Sequence, residues 1–228
     1  MKSKTNVDFR KTTSLATAAR LIARHIDAPL AEGKKVLWLL SGGSAIKLAV
    51  EVAKIIKDNP YLANLNVTLA DERFGPVGHS DSNWQQLLDG SFSLPQAKLE
   101  PVLKGKSLNK TLTDYTDLLK NYSAQADYSL ALAGIGSDGH TFGIKPGSPA
   151  IDSEKLVVAF RWNDYTRLTP TTKFLQLLDE VVVYAIGKEK QPQLEALEQD
   201  LPIAKQPAQA LKQVKKLIVI NDIKGEKL

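Results

Sequence analysis

The sequence predicts an α/β fold with a mostly parallel sheet and helices on both faces. Short, almost wholly apolar runs alternate along the chain with stretches whose apolar residues have helical spacing. Strands that are buried on both faces read as continuous hydrophobic runs, and their alternation with helices is typical of βαβ units with right-handed crossovers. Because no repeat, low-complexity tract or linker divides the 228 residues, we predict a single domain over residues 1–228.

The first half of the chain already shows this alternation. Thr12, Thr13 and Ser14 are typical helix-start residues, and the apolar spacing after them predicts an amphipathic helix that ends near Gly33. The run KVLWLL then predicts a buried strand. The remaining predictions in this half are a helix over residues 45–57, a strand over residues 66–70 and a helix after the cap residues 81–83.

The second half continues in the same way. Residues 128–133 form an apolar run that predicts a buried strand, whereas residues 95–110 are loop-rich and residues 161–170 are polar and irregular in pattern. The other predicted elements are helices over residues 111–125, 171–178 and 193–199, and strands over residues 156–160, 180–186 and 217–220.

The composition limits the chemistry and the location of the protein. The sequence contains no cysteine, so thiol nucleophiles, thiolate metal sites and disulfides are excluded. No segment has the uninterrupted apolar length of a membrane span, and the N-terminal MKSKTNVDFRK lacks the apolar region of a signal peptide. We therefore expect a soluble, cytoplasmic protein without a membrane partner, and a monomer by default.

The basic charge balance points to an anionic partner. The formal net charge is +5 and the pI is about 9.2, which suits either nucleic acid or an anionic small molecule. The lysines are spread along the chain, and no basic block is interleaved with aromatic residues as single-strand binding surfaces require. We therefore expect an anionic small-molecule substrate and no nucleic-acid partner.

A glycine pair stands between the first buried strand and the next helix, in Ser41-Gly42-Gly43-Ser44. Glycines let the backbone approach a ligand closely, and the free amide groups at a helix start favour an anion. The spacing matches neither the dinucleotide fingerprint nor the Walker loop. The three residues Gly42, Gly43 and Ser44 are candidates for binding phosphate, and an ordinary strand-to-helix turn is the competing interpretation.

Charged side chains also follow other predicted strands. Asp71, Glu72 and Arg73 follow the second strand, and Lys190 follows the strand over residues 180–186. Carboxylates suit proton transfer, and arginine offers a charge-assisted, bidentate donor set to a phosphate or a carboxylate. An internal ion pair at a turn would give a similar pattern. Because ligands of open parallel sheets bind at the carboxyl ends of the strands, we expect these side chains to meet at one edge.

The most informative stretch is YSLALAGIGSDGHTFGIKPGS, from Tyr128 to Ser148, where a buried strand ends in glycines. The turn that follows carries Asp138, Gly139 and His140. A neutral imidazole accepts a proton near pH 7, so His140 is a candidate general base. The competing interpretation is a loop histidine beside residues that only form a turn.

Four segments together resemble a known family. They are LSGGSAIKLA (residues 40–49), LADERFGPVGHSDSN (69–83), GIGSDGHTFGIKPGS (134–148) and VVVYAIGKEK (181–190). In this order they resemble the 6-phosphogluconolactonases, within the superfamily that also holds the glucosamine-6-phosphate deaminases. The resemblance spans most of the chain and implies a Rossmann-like α/β fold.

The resemblance also implies an activity and a set of site residues. The implied reaction is hydrolysis of 6-phospho-D-glucono-1,5-lactone to 6-phosphogluconate in the oxidative pentose phosphate pathway, without a metal or an organic cofactor. By position, His140 resembles the general base that activates water, Asp138 belongs to the same turn, and Asp71 is the third catalytic candidate. The residues that match the phosphate-binding loop and its cationic partners are Gly42, Gly43, Ser44, Arg73, Arg167 and Lys190.

Two stretches depart from the family's pattern. After Thr141, lactonases usually have small residues and then an aromatic residue before Pro-Gly, whereas this chain has FGIK. The stretch RLTPTT that begins at Arg167 only partly resembles the family's arginine-containing stretch, so Arg161 is an alternative cation. These departures leave room for a changed sugar specificity or a reduced activity.

Two other functions stay open from the sequence. A deaminase or isomerase of sugar phosphates shares the strand-end acids and the histidine turn, but it requires a second carboxylate near His140. Residues 141–147 contain no acid, and deaminases usually have tyrosine where Arg73 stands. A non-catalytic sugar-phosphate sensor would keep the glycine pair and lose turnover, and the presence of both His140 and the Asp71-Glu72-Arg73 group argues against it.

Overall fold

The computed structural model describes residues 6–163 and 165–228. Its strands are β1 (Val7–Lys11), β2 (Val36–Leu40), β3 (Leu65–Leu69), β4 (Glu72–Phe74), β5 (Lys98–Glu100), β6 (Tyr128–Ala133), β7 (Val157–Trp162), β8 (Tyr165–Pro170), β9 (Glu180–Ala185), β10 (Lys216–Asn221) and β11 (Glu226–Lys227). Its α-helices are α1 (Leu15–Ala31), α2 (Ala45–Ile56), α3 (Asn83–Asp89), α4 (Leu108–Gln125), α5 (Thr172–Leu175) and α6 (Gln191–Glu198). Short 3-10 helices cover Leu62–Asn64, Lys188–Lys190 and Pro207–Gln213.

The main sheet has eight strands in the order β11-β1-β10-β9-β6-β2-β3-β5. Each neighbouring pair in this order is parallel. Parallel neighbours need crossover connections, and the helices of this chain supply them. The predicted Rossmann-like α/β fold is therefore confirmed, and its sheet is fully rather than mostly parallel.

The direction of the strand order changes beside β2. From β2 the chain proceeds outward to β3 and β5, and it then returns to β6 on the other side of β2. Right-handed crossovers consequently place α1 and α2, which pack on each other, on one face of the sheet and α4 and the later helices on the opposite face. The carboxyl ends of β2 and β6 border a crevice of the kind in which open α/β sheets bind ligands.

The core is built on strands that are buried on both faces. All five residues of β2 are buried, and Trp38 at its centre packs against Phe92 with 5.9 Å between the ring centroids. The predicted first helix is confirmed, because the Ser14 hydroxyl accepts a hydrogen bond from the Thr17 N–H at its start. The left-handed Gly33, with φ of +76°, follows its end.

The prediction of an irregular segment over residues 161–170 is wrong. Strands β7 and β8 form a hairpin, and β4 pairs with β8, so that a second, antiparallel sheet of three strands is formed. The alternation that marks half-buried strands is obscured here by charged and aromatic residues on the solvent side. Residue 164, inside this segment, lies outside the described residues.

Other boundaries differ for local reasons. Strand β1 was not predicted because its sequence, VDFRK, is only half-buried, and β5 has only three residues at the sheet edge. Helix α4 begins three residues before the predicted start, since the Ser107 hydroxyl accepts a hydrogen bond from the Lys110 N–H. Over the described residues, no helix combines the length and apolar character that a membrane crossing requires. Residues 1–5, part of the segment from which we expected no signal peptide, lie outside the described ranges.

Candidate active site

A cleft at the carboxyl ends of the central strands brings the candidate residues together. Its volume is about 250 Å³. The candidate residues that line it are Gly42, Gly43, Ser44, Asp71, Arg73, His140, Arg167 and Lys190. Asp138 is not one of the lining residues, but its carboxylate contacts His140. Within the described ranges, no group of three or more His, Asp or Glu side chains is arranged to hold a metal ion.

The glycine turn after β2 is closely packed against the start of α3. A Cβ atom at Gly42 would lie 2.0 Å from the Asn83 Oδ1 atom, so a larger residue at this position would require the Asn83 side chain to move. Gly43 has a φ of +69°, which favours glycine as well. Ser44 directly precedes α2, and its side chain makes no capping hydrogen bond. The turn therefore presents an exposed hydroxyl and the amide groups of a helix start to the cleft.

The two acids after β3 have different environments. Glu72 is fully buried, and its carboxylate accepts hydrogen bonds from the backbone N–H groups of Arg73, Asn83 and Trp84 at 2.7, 2.7 and 3.2 Å. The carboxylate also accepts the Ser82 hydroxyl at 2.8 Å, so Glu72 stabilises the start of α3 and does not face the cleft. Asp71 lines the cleft, and burial raises the pKa of its carboxyl group.

Two arginines are neighbours on adjacent strands of the small sheet. Arg73 on β4 is the direct cross-strand partner of Arg167 on β8. The Nε atoms of both are buried without a hydrogen-bond partner among the described residues. Burial lowers the pKa of Arg167, and both guanidinium carbon atoms lie 5.9 Å from the centroid of the Tyr165 ring. Two adjacent cations with free donors suit a bound anion.

Of the two alternative arginines, only Arg167 is in the cleft. The exposed Arg161 donates its Nε–H to the carbonyl oxygen of Asn163 at 3.1 Å. The other histidine near this site, His79, is half-buried, and its Nε2 atom lies 3.0 Å from the carbonyl oxygen of Arg73. Strand register explains why Arg167 and not Arg161 reaches the cleft. Arg161 pairs with Thr166 and Arg167 pairs with Phe160, and side chains of successive pairs lie on opposite faces of the hairpin.

The turn after β6 holds Asp138 and His140 in contact. The carbonyl oxygen of His140 accepts the Gly136 N–H at 2.9 Å, and the Thr141 hydroxyl donates to the Gly134 carbonyl at 3.1 Å. A Cβ atom at Gly136 would lie 2.1 Å from the imidazole ring, so glycine is required there. The Asp138 carboxylate contacts the Nδ1 atom of His140 directly.

The electrostatics of this turn favour a neutral histidine beside an ionised aspartate. Burial lowers the pKa of His140, and although the hydrogen bond with Asp138 opposes this shift, it does not outweigh it. Partial burial disfavours the carboxylate of Asp138, but the hydrogen bond and charge of His140 outweigh it and lower the pKa of Asp138 to about 2. A neutral imidazole that donates Nδ1–H to Asp138 keeps the lone pair of Nε2 available.

Lys145, which is not among the site residues predicted from the sequence, contacts the same two residues. The Nζ atom of Lys145 lies 2.8 Å from the His140 Nδ1 atom and 3.3 Å from the Asp138 Oδ2 atom. Lys145 is 7% exposed, and burial lowers its pKa. Between His140 and Lys145 the loop contains Phe142 in a left-handed conformation, with a φ of +51°. The departure from the family pattern at FGIK was the one sequence signal that marked this position.

The cleft is completed from the C-terminal third of the chain. Lys190 follows β9 and donates to the carbonyl oxygen of Ile135 at 2.9 Å. The histidine turn is also held from outside, because the Gly139 carbonyl accepts the Ala208 N–H at 2.9 Å. The side-chain amide of Gln193 donates to the Ser137 carbonyl at 2.7 Å, and Gln206 in turn donates to Gln193 at 2.7 Å.

The fold and the cleft define an α/β protein with a histidine–aspartate pair and a group of cations at the carboxyl edge of its sheet. The chain belongs to the family of glucosamine-6-phosphate isomerases/6-phosphogluconolactonase, whose sequence model matches residues 10–219. This family covers two reactions, so membership alone does not choose between them.

Curated relatives with similar sequences carry one of these two names. A protein of Synechocystis named 6-phosphogluconolactonase is 25% identical over 203 residues, which cover 84% of this chain and 83% of that protein. A Chlamydia pneumoniae protein of the same name is 27% identical over 168 residues, covering 69% of this chain and 63% of the relative. A probable chloroplastic 6-phosphogluconolactonase of rice is 27% identical, and the matched region spans 53% of its length.

Solved structures show the same fold. A 6-phosphogluconolactonase from Shewanella baltica superposes with a TM-score of 0.81 at 18% identity, covering 95% of this chain and 98% of that one. One from Thermotoga maritima gives a TM-score of 0.79 at 22% identity, covering 96% and 99% of the two chains. The described strands and helices are thus arranged as in these proteins.

Proposed function

We propose that this chain hydrolyses 6-phospho-D-glucono-1,5-lactone to 6-phosphogluconate. The observation that carries the proposal is the contact between His140 and Asp138, in a cleft that is also lined by four cationic side chains and the glycine turn. The names of the relatives and of the solved structures support the same reaction. The basic charge of the chain suits an anionic substrate.

The chemical step requires a base and no covalent nucleophile. A δ-lactone is an activated ester, and His140 Nε2 takes a proton from water as the water oxygen bonds to the lactone carbonyl carbon. The imidazolium that forms is stabilised by Asp138. When the tetrahedral intermediate collapses, the bond from the carbonyl carbon to the ring oxygen breaks, and the imidazolium returns its proton to that oxygen. General-base assistance of this kind contributes about 10²–10⁴-fold.

The phosphate is the orienting group of the substrate. In this proposal Gly42, Gly43 and Ser44 bind it through amide groups and a hydroxyl, and Arg167 and Lys190 supply positive charge. Arg73 is the remaining cationic partner. Anchoring the phosphate away from the carbonyl holds the ring in one orientation, which lowers the entropic part of the barrier.

Asp71 favours a second candidate function. It is a buried carboxyl group with a raised pKa in the same cleft as His140, so it can donate and accept protons. A sugar-phosphate deaminase or isomerase requires such a second carboxylate. The lactonase remains the preferred function, because residues 141–147 contain no acid. This loop instead brings a cation, the Nζ atom of Lys145, to 2.8 Å from the Nδ1 atom of His140.

The test is acid release from freshly generated 6-phosphogluconolactone, measured against the spontaneous background. We expect wild-type turnover above background and a fall of at least about 10²-fold in His140→Ala, since a general base is lost. His25→Ala is the matched control, because His25 contacts Glu180 at 2.6 Å, at the opposite end of β9 from the cleft. Wild-type turnover no faster than background, with ammonia release from glucosamine 6-phosphate, would favour the second candidate; binding without either activity would favour a sensor.

A further inference from the structure

Lys145 has no part in the proposed mechanism, although its ammonium group touches the candidate base. Its Nζ atom is 2.8 Å from the Nδ1 atom of His140, and the residue is buried in the wall of the cleft. We propose that Lys145 is a positioning residue for His140, whose ammonium group opposes protonation of the imidazole and so keeps Nε2 free to accept a proton from water. This inference rests on the proposed hydrolytic function.

Two contacts compete for the Nδ1 position of the ring. An ionised Asp138 next to Nδ1 favours a proton on Nδ1, because a lone pair at that position would face the carboxylate. A hydrogen bond from the Lys145 ammonium group would instead need that lone pair, so we assign the Nδ1 proton to the contact with Asp138 and treat Lys145 as a neighbouring charge rather than as a hydrogen-bond donor to the ring. Lys145 donates to the other oxygen of the same carboxylate, Oδ2, at 3.3 Å. The free lone pair of His140 is then on Nε2. A second proton on Nε2 would create an imidazolium cation beside the ammonium group of Lys145.

Lys145 therefore offsets the effect of the aspartate. A carboxylate alone would favour the imidazolium form, and a histidine that is already protonated cannot act as a base. The cation of Lys145 is held in place by the same carboxylate, so the two opposite charges act on the ring together. The result is an oriented imidazole that does not bind a proton before the substrate arrives.

The charged groups around the imidazole come from three parts of the fold. Asp138 lies in the turn after β6, Lys145 in the loop that follows, and Asp71 at the end of β3. Arg167 on β8 acts on Lys145 and on Asp71. Burial raises the pKa of Asp71, and the nearby Arg73 and Arg167 oppose this shift.

The test is an NMR titration of the imidazole nitrogens of His140 in the full chain. The sequence has three histidines, and the His140→Ala spectrum assigns the signals. We expect Lys145→Met to raise the pKa of His140 by about one unit or more and Lys145→Arg to keep the wild-type value. The acid limb of kcat/KM should move to higher pH by the same amount in Lys145→Met. Lys190→Met, which removes a cation bonded to Ile135 rather than to His140, should leave the titration unchanged.

An unchanged or lowered pKa of His140 in Lys145→Met would overturn the inference. Lys145→Gln is a second variant, which removes the charge but keeps a polar side chain, and an unchanged or lowered pKa of His140 in that variant would also overturn the inference. Because the titration needs no substrate, it is independent of the proposed reaction. A raised pKa of His140 in Lys145→Met, without lactone turnover by the wild type, would support the role of Lys145 and reject the lactonase. Lactone turnover by the wild type, with an unchanged pKa of His140 in Lys145→Met, would support the lactonase and reject the role of Lys145.

Discussion

Arg73 and Arg167 are directly opposite each other in the antiparallel pair of β4 and β8, and both line the cleft. Like charges in this relation destabilise a sheet, and here the Nε atoms of both side chains also lack partners among the described residues. The free site therefore contains an unfavourable arrangement that a dianionic phosphate would relieve. We infer that substrate binding stabilises the small sheet.

The first prediction concerns Arg167. Arg167→Met should raise KM for the phosphorylated lactone roughly 10- to 100-fold, because a hydrogen bond to a charged group contributes about 1.5–3 kcal/mol. Arg161→Met is the matched control on the preceding strand and should leave KM near the wild-type value. Steady-state kinetics of the three proteins decide between the two arginines, and an equal rise in KM for both variants would contradict the assignment.

A second prediction concerns the pH dependence of activity. Activity falls as the pH decreases through the pKa of His140, since the protonated ring cannot act as a base, and the lowered pKa places this fall below about 6.5. Asp138→Asn removes the carboxylate that favours the imidazolium, so the acid limb should move to still lower pH. The plateau should fall by about 10²-fold or more, because the ring loses its orienting acceptor. A limb that moves upward would contradict the arrangement.

The third prediction concerns stability. Glu72→Gln should lower the free energy of unfolding by about 2–4 kcal/mol, since an amide cannot accept all the donors that the buried carboxylate satisfies. Glu51→Gln removes the carboxylate of the exposed Glu51–Lys54 pair on α2 and should change the free energy of unfolding by less than about 0.5 kcal/mol. Urea unfolding measures both variants. Equal effects would show that Glu72 is not a structural cap.

The fourth prediction concerns the packing of the glycine turn. Gly42→Ala should destabilise the protein by about 1–3 kcal/mol, because its Cβ would collide with the Asn83 side chain. In an Asn83→Ala background the same change should cost less, since the colliding atoms are gone. The four proteins form a double-mutant cycle by urea unfolding. Strictly additive costs would mean that the two residues are not in contact.

The fold could be predicted where burial is complete. Strands β2 and β6 appear as apolar runs because both of their faces are covered, and α1 has both a cap residue and a periodic apolar face. Continuous apolar runs are absent from β1, near the edge of the main sheet, and from β8 of the small sheet, so these two strands are not predicted. Residues there are half-buried and carry charges on the exposed side, so β1 and β8 read as polar segments.

The candidate site could be predicted in part for a similar reason. Residues in the turns that follow buried strands, such as Asp71 and His140, reach the cleft because the sheet places the carboxyl ends of its strands together. Lys145 could not be found in this way, since its approach depends on the path of a loop with a left-handed Phe142. The choice of Arg167 over Arg161 depended on strand register, which the irregular prediction for this segment could not supply.

The turn that carries Asp138 and His140 is fixed by residues much later in the chain. The Ala208 N–H and the side chains of Gln193 and Gln206 hold this turn from α6 and the region of the last 3-10 helix. During synthesis the histidine therefore emerges well before its supports do. A ribosome-bound chain that stops before residue 193 would contain His140 without the contacts that orient it, and it would also lack β10, which lies between β1 and β9 in the main sheet.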